Sequence, residues 1–252
     1  MKELFADIRA ISLDAMGTII DLKIPPQETY YEILKHLGHA WQKTLPLIRE
    51  PDLFRRYWKE AEKRLPPAFL SEHVDRFAHY GEMPYAFWGL IFRVMFENLK
   101  LPVEEADAAV QVAYHRFAEP DLWTVESGLA ELVAFCSVRE INLFVTSNWD
   151  FRLPRILKGL GIASFFREII TSALVGFEKP SEKIFHYLVS LAECPPSQVL
   201  HIGDRIKDDI LGAKEAGLRA VLYRREKFSG DDFLFARVQS LRELPGLLSS
   251  GE

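Results

Sequence analysis

Arg9-Ala-Ile-Ser-Leu-Asp-Ala-Met-Gly-Thr18 is the stretch on which the reading of this chain turns. Residues 8–13 are apolar and β-prone, and they deliver one carboxylate, Asp14, to a strand end before Gly17 and Thr18 turn the chain. Open α/β sheets hold their ligands at the carboxyl ends of strands, so Asp14 is a candidate nucleophile. Two residues on, where a second carboxylate would suit acid–base work, stands Met16, whose thioether carries no proton.

Working outward, the chain changes texture twice. Residues 27–37, 49–64, 71–80, 84–99 and 104–118 carry helical periodicity, and prolines such as Pro51, Pro84 and Pro102 break it up. This stretch has almost no β-rich run and many aromatics, and Trp88, Phe92 and Phe96 share one helical face. They read as packing residues rather than as an interaction surface. After Pro120, strands and helices alternate: helix 128–138, strand 143–146, helix 152–160, strand 168–171, helix 181–192, strand 199–202, helix 206–216 and strand 220–223. That alternation predicts an α/β fold, a Rossmann-like doubly wound parallel sheet that recruits the first strand. The expected division is a core of residues 1–20 and 120–252, with residues 21–119 inserted as an all-helical block.

Four predicted strand ends carry reactive residues. They are Asp14; Ser147-Asn148 after Thr146; Lys179-Pro180 beyond the 168–171 strand; and Gly203-Asp204, with Asp208 and Asp209 one turn later. In a parallel sheet these ends share one edge. Each residue alone has an ordinary account as a cap, a turn residue or a dipole partner. Together they suit phosphoryl transfer. A carboxylate attacks phosphorus, a hydroxyl and an amide bind oxygens, a lysine neutralises charge, and further carboxylates hold Mg2+.

The bulk numbers narrow the field. The 252 residues are 48% hydrophobic and 27% charged with a net charge of −5, which gives no basic footprint for nucleic acid or membrane surfaces. No apolar run approaches the ~20 residues of a membrane span, and the amino terminus lacks a signal-peptide core. Cys136 and Cys194 make neither a disulfide framework nor a zinc motif, and both read as reduced and buried. The expected setting is cytoplasmic, as a monomer or homodimer acting on a small molecule.

These residues resemble the haloacid dehalogenase superfamily of hydrolases, chiefly phosphatases. Asp14-Ala-Met-Gly-Thr18 resembles its first motif, Asp-x-Asp-Gly-Thr. Ser147-Asn148 resembles the second and Lys179-Pro180 the third. Gly203-Asp204 with Asp209, continued by Gly212-Ala213 and Gly217, resembles the fourth. The inserted block is similar to the family's helical C1-type cap, and the irregular first motif with Trp123 before helix 128–138 is similar to one branch of it. The resemblance implies that Asp14 forms an aspartyl-phosphate and that Lys179 holds it ionised. It places Thr18, Ser147 and Asn148 at the substrate. It implies that Mg2+ is held by Asp14, Asp204 and the Met16 backbone carbonyl, with Asp209 or Asp208 in support. The substrate would be a small phosphorylated metabolite.

Met16 is the departure. In the family's phosphatases this position protonates the leaving group, a role worth about 3–5 kcal/mol. A slow phosphatase, or one whose proton comes from His73, His79 or Glu82 in the inserted block, is the leading expectation. A metal-independent 2-haloacid dehalogenase, whose first motif also lacks an Asp here, is the alternative; the acidic fourth motif weighs against it. A third reading is an impaired enzyme retained as a binding protein.

Overall fold

The structure is a computed structural model that describes residues 2–36, 49–50, 52–77, 85–226 and 229–250. After a short helix α1 (Lys2–Phe5), strand β1 (Ala10–Leu13) runs through the middle of the main sheet. Strand β2 (Ile20–Leu22) leaves the core and α2 (Pro26–Leu34) begins the helical stretch. That stretch continues with α3 (Leu53–Glu62), α4 (Pro67–Ser71), α5 (Ala86–Leu99) and α6 (Ala106–Phe117). The chain returns along β3 (Trp123–Val125), then α7 (Leu129–Val138), β4 (Asn142–Ser147), α8 (Leu153–Gly159), β5 (Glu168–Thr171) and α9 (Ser172–Val175). It ends with α10 (Glu182–Ala192), β6 (Val199–Gly203), a π-helical turn (Ile206–Leu211), α11 (Gly212–Glu215), β7 (Arg219–Tyr223), β8 (Arg237–Val238) and α12 (Leu244–Ser250).

The main sheet is parallel throughout, in the order β5-β4-β1-β6-β7-β8. The chain steps outward from β1 through β4 to β5, then returns to the far side of β1 at β6. That return makes β1 the topological switch point, and the crevice beyond its carboxyl end is where such sheets bind ligands. Strand alternation sends Ile11, Leu13, Val145 and Ile202 into one layer, packed by α7, α8 and α12, and Ala10, Phe144 and Val199 into the other, packed by α10 and α11.

The helical stretch has its own apolar centres. Tyr30, Phe92, Phe96 and Val110 meet in one, and Phe77, Phe87, Ile91 and Val94 in the other. Phe92 and Phe96 are buried and Trp88 is half-buried against Trp58 and Phe54, so the aromatic face is packing, as its periodicity suggested.

Several expectations need correction. Helix 71–80 does not form over its described part: α4 stops at Ser71, His73 has φ 52°, and Val74 bridges Phe177 in antiparallel fashion. Strands β2 and β3 pair antiparallel, Ile20 with Val125 and Leu22 with Trp123, where only a boundary was expected. Helix 206–216 opens as a π turn, β8 adds a sixth strand, and Cys194 is half-buried rather than buried. His79 and Glu82, with Pro51 and Pro84, lie outside the described residues.

Candidate functional site

Three strands and one loop deliver the site. β1 ends at Asp14, β6 at Gly203-Asp204, and β4 at Ser147-Asn148; the loop after α9 brings Lys179. Lys179 Nζ lies 2.7 Å from Asp14 Oδ1 and 2.5 Å from Asp209 Oδ1, and it donates to the Thr146 carbonyl at 3.0 Å. Asp209 begins in the π turn and reaches back to accept the Arg205 N–H at 2.8 Å, which closes the turn under β6. Residues separated by up to 195 positions in the chain thus share one ammonium.

Two glycines let these groups approach. Gly17 has φ 86°, and a Cβ there would lie 2.8 Å from Asp204 Oδ2. A Cβ on Gly203 would lie 2.2 Å from Asp209 Cγ.

Oxygens of Asp14, Asp204 and Asp209 all lie within 4.8 Å of one another. Asp204 Oδ1 is buried with no hydrogen-bond partner. Burial, reinforced by the charges of Asp14 and Asp209, pushes the Asp204 carboxyl up to about 7. Burial alone would push the Lys179 ammonium down; Asp14 and Asp209 outweigh it and hold Lys179 above the usual lysine range. Burial also opposes ionisation of Asp209, but the Lys179 charge and the His201 contact hold its carboxyl well below the usual range. An all-oxygen cluster with an orphaned buried oxygen fits a hard divalent cation.

That frustration is measurable. A carboxyl harder to ionise folded than unfolded contributes stability below its unfolded value and loses it as pH rises through its folded value. For Asp204 the window runs from about 4 to about 7. The metal-free protein is therefore expected to lose stability across that window, and Mg2+ is expected to raise the melting temperature more at about pH 8 than at about pH 5. Thermal melts in Mg2+ and in EDTA at both pH values check this. Equal shifts, or none, would show that the cluster does not hold the ion.

The other expected site residues are placed as follows. Ser147 is buried at the end of β4. Asn148, expected beside the substrate, has both ends of its amide engaged by the Lys179 backbone, accepting its N–H at 2.6 Å and donating to its carbonyl at 2.9 Å. It sets the main chain that carries the lysine. Thr18 is fully buried and its Oγ1 has no partner. Asp208 faces away and pairs with Arg205 at 3.0 Å, so Asp209 is the member that joins the cluster. Met16 is the exposed side chain of the first loop, at 41%.

Residues that the motifs did not flag complete the surroundings. His201 Nε2 lies 3.3 Å from Asp209 Oδ1. Arg224 donates to the Asp204 carbonyl, tying β7 to the motif. Two contacts join the helical stretch to the loops that carry the site. Arg76 pairs with Glu178 at 2.9 Å and with Glu62, beside backbone bonds from Asp75 N to the Gly176 carbonyl and from Glu178 N to the His73 carbonyl. Asp150 and Arg152 form a buried two-point pair; Trp88 donates to Asp150 at 3.2 Å, and Arg152 stacks over Tyr114. A charged residue three or five positions past the end of β4 was the available signal for Asp150 and Arg152.

Comparison with known proteins agrees with this geometry. A family model for haloacid dehalogenase-like hydrolases matches residues 8–217. Haloacid dehalogenase-like hydrolase domain-containing protein 3 of Bos taurus is 36% identical over 218 residues, covering 85% of this chain and 81% of that protein. Glyceraldehyde 3-phosphate phosphatase of Methanopyrus kandleri is 33% identical over 136 residues, 50% of this chain and 54% of that protein. Among solved structures, an HAD phosphatase from Thermococcus onnurineus superposes with a TM-score of 0.64 at 20% identity, covering 96% of this chain and 99% of that one, which is a likeness of fold. Among the described residues no helix is long and apolar enough to cross a membrane.

Proposed function

The chain belongs to the haloacid dehalogenase-like hydrolases, and from that membership we propose that it is a Mg2+-dependent phosphatase of a small phosphorylated metabolite, acting through an aspartyl-phosphate on Asp14. The observation that carries this reading is the Lys179 ammonium bridging Asp14 and Asp209 beside the orphaned oxygen of Asp204.

In this reading Asp14 attacks phosphorus in line with the departing oxygen. Lys179 pairs with Asp14 at 2.7 Å and offers charge to the phosphoryl oxygens. Ser147 supplies a hydroxyl at the end of β4 for an equatorial oxygen, and Thr18, whose buried hydroxyl has no partner, is the second hydroxyl offered to the substrate from the first loop. Asp14, Asp204 and the Met16 carbonyl would hold the cation, and Asp209 supports the set from beneath. The bound cation would neutralise charge on the phosphoryl group. Residues 21–119 act as a cap over the core of residues 1–20 and 120–252, which excludes water and reads the leaving group.

Met16 defines the weak point. No proton reaches the leaving oxygen from that side chain, so substrates with basic alkoxide leaving groups turn over slowly. Met16→Asp is expected to raise hydrolysis of alkyl phosphates by about tenfold or more, with little change for aryl phosphates. Steady-state rates on a matched alkyl and aryl pair check this. No gain would place the proton donor elsewhere.

The test of the whole reading is p-nitrophenyl phosphate hydrolysis in Mg2+ and in EDTA. Turnover that requires the metal is expected. Absence of phosphate release, with chloride release from 2-chloropropionate that EDTA does not affect, would overturn it in favour of dehalogenation.

A further inference from the structure

A row of polar side chains crosses the sheet directly beneath the site. Ser12, Thr146 and His201 lie on β1, β4 and β6, and none is exposed. Strand alternation puts them on the face that carries Ala10, Phe144 and Val199, which is otherwise apolar and packed by α10. The Ser12 and Thr146 hydroxyl oxygens lie 2.8 Å apart, and Ser12 Oγ lies 3.1 Å from His201 Nδ1. His201 Nε2 lies 3.3 Å from Asp209 Oδ1, the oxygen that also receives Lys179. The Phe185 ring packs against the imidazole at 5.2 Å, edge to face. Buried polar groups inside a parallel sheet are tolerated only where they are bonded.

Counting donors gives the row a direction. Asp209 already accepts from Lys179 and from the Arg205 N–H, and a carboxylate in that position only accepts. The ring nitrogen facing it must therefore carry hydrogen. In a neutral imidazole the other nitrogen is then an acceptor, and the two hydroxyls, which rotate freely about their C–O bonds, can meet it with Ser12 donating to Nδ1 and Thr146 to Ser12. The sequence of donors runs from β4 across β1 to β6 and ends on Asp209.

We propose that His201 is a positioning residue for the reaction: its single ring proton, held on Nε2 by Ser12 and Thr146, fixes the Asp209 carboxylate so that Lys179 is aimed at Asp14. The proposal rests on the reading of Asp14 and Lys179 as reacting groups, but half of its test does not. A carboxylate held by three donors cannot rotate away from the ammonium it steers, whereas one held by two can swing and let Lys179 follow it away from Asp14.

Long-range proton–nitrogen spectra of 15N-labelled wild-type protein read the tautomer directly, with or without activity. A protonated Nε2 and a bare Nδ1 on His201 are expected. A proton on Nδ1, alone or together with Nε2, would overturn the proposal. The kinetic half compares His201→Leu with His201→Gln, whose amide keeps an N–H within reach of Asp209. His201→Leu is expected to lower kcat on p-nitrophenyl phosphate by roughly tenfold to a hundredfold with KM nearly unchanged, and His201→Gln to recover most of it. If both variants fold and lose kcat equally, or neither loses it, the residue only fills the core and the proposal fails. If the wild type hydrolyses no phosphate, the phosphatase reading fails while the spectra still decide the tautomer.

Discussion

Asp14→Asn is expected to abolish phosphate hydrolysis, by at least about a thousandfold, without weakening the fold. An amide oxygen of that size still accepts the Lys179 Nζ hydrogen that Asp14 Oδ1 receives at 2.7 Å, so the geometry has no reason to collapse. The amide is a poor nucleophile, so the proposed acyl-phosphate step would be lost. The variant also removes one of three clustered carboxylates, and with it part of the repulsion that pushes Asp204 up. Melting temperature in EDTA should therefore hold or rise while activity disappears, the usual opposition between a strained site and a stable fold. Single-turnover phosphate release and a thermal melt on the same preparation check both halves. Residual turnover near the wild-type rate would remove Asp14 from the role of nucleophile.

Lys179→Met carries the largest expected cost in stability. The ammonium is buried, touches Asp14 and Asp209, and lies beside the pushed-up Asp204. Removing one partner of a buried charge pair leaves the others uncompensated, a loss of about 3–5 kcal/mol. In a chain of this length that corresponds to a fall in melting temperature on the order of 10 °C. The deficit should shrink as pH falls and the carboxylates take up protons. Adding Asp209→Asn to the same chain should restore part of it. Calorimetry at two pH values separates this from simple loss of packing, which would not depend on pH. An unchanged melting temperature would mean that the lysine does not neutralise the cluster.

The contrast between these variants follows from how the site is encoded. Asp14, Asp204 and Asp209 were legible because each follows a strand end or sits in the first turn after it, and Lys179 because its loop follows β5; a parallel sheet collects those ends on one edge. The strands themselves were legible as short apolar runs between turn residues. His201 was not flagged, although a histidine inside Val199-Leu-His-Ile-Gly203 breaks the continuous apolar run expected of a strand covered on both faces. Its meaning depends on Ser12 and Thr146, which neighbouring strands place beside it and which the linear sequence separates by up to 189 positions.

Other features were hidden for local reasons. The β2–β3 pair is three residues on each side and joins positions about a hundred apart, so neither strand has the length to show a period. The stretch after Ser71 has helical spacing, yet His73 to Asp75 exchange backbone bonds with Gly176 and Glu178 instead. There a tertiary partner outcompeted local propensity. Asn148 had the right type and place for a ligand of substrate, and only the folded chain shows its amide engaged by the Lys179 backbone.

The bonds between residues 73–76 and 176–178 have a mechanical consequence. Glu178 is the residue before Lys179, and its carboxylate is gripped by Arg76 of the helical block. The block is thus fastened to the strand of chain that carries the ammonium, as well as to the core through β2 and β3. Any swing of the block that broke its seat would tug on that strand and draw Lys179 from Asp14. Opening and disarming would be one motion, like a firing pin that withdraws when the breech is opened. The ion pair and the backbone bonds between residues 73–76 and 176–178 thus tie the position of the ammonium to the seat of the helical block.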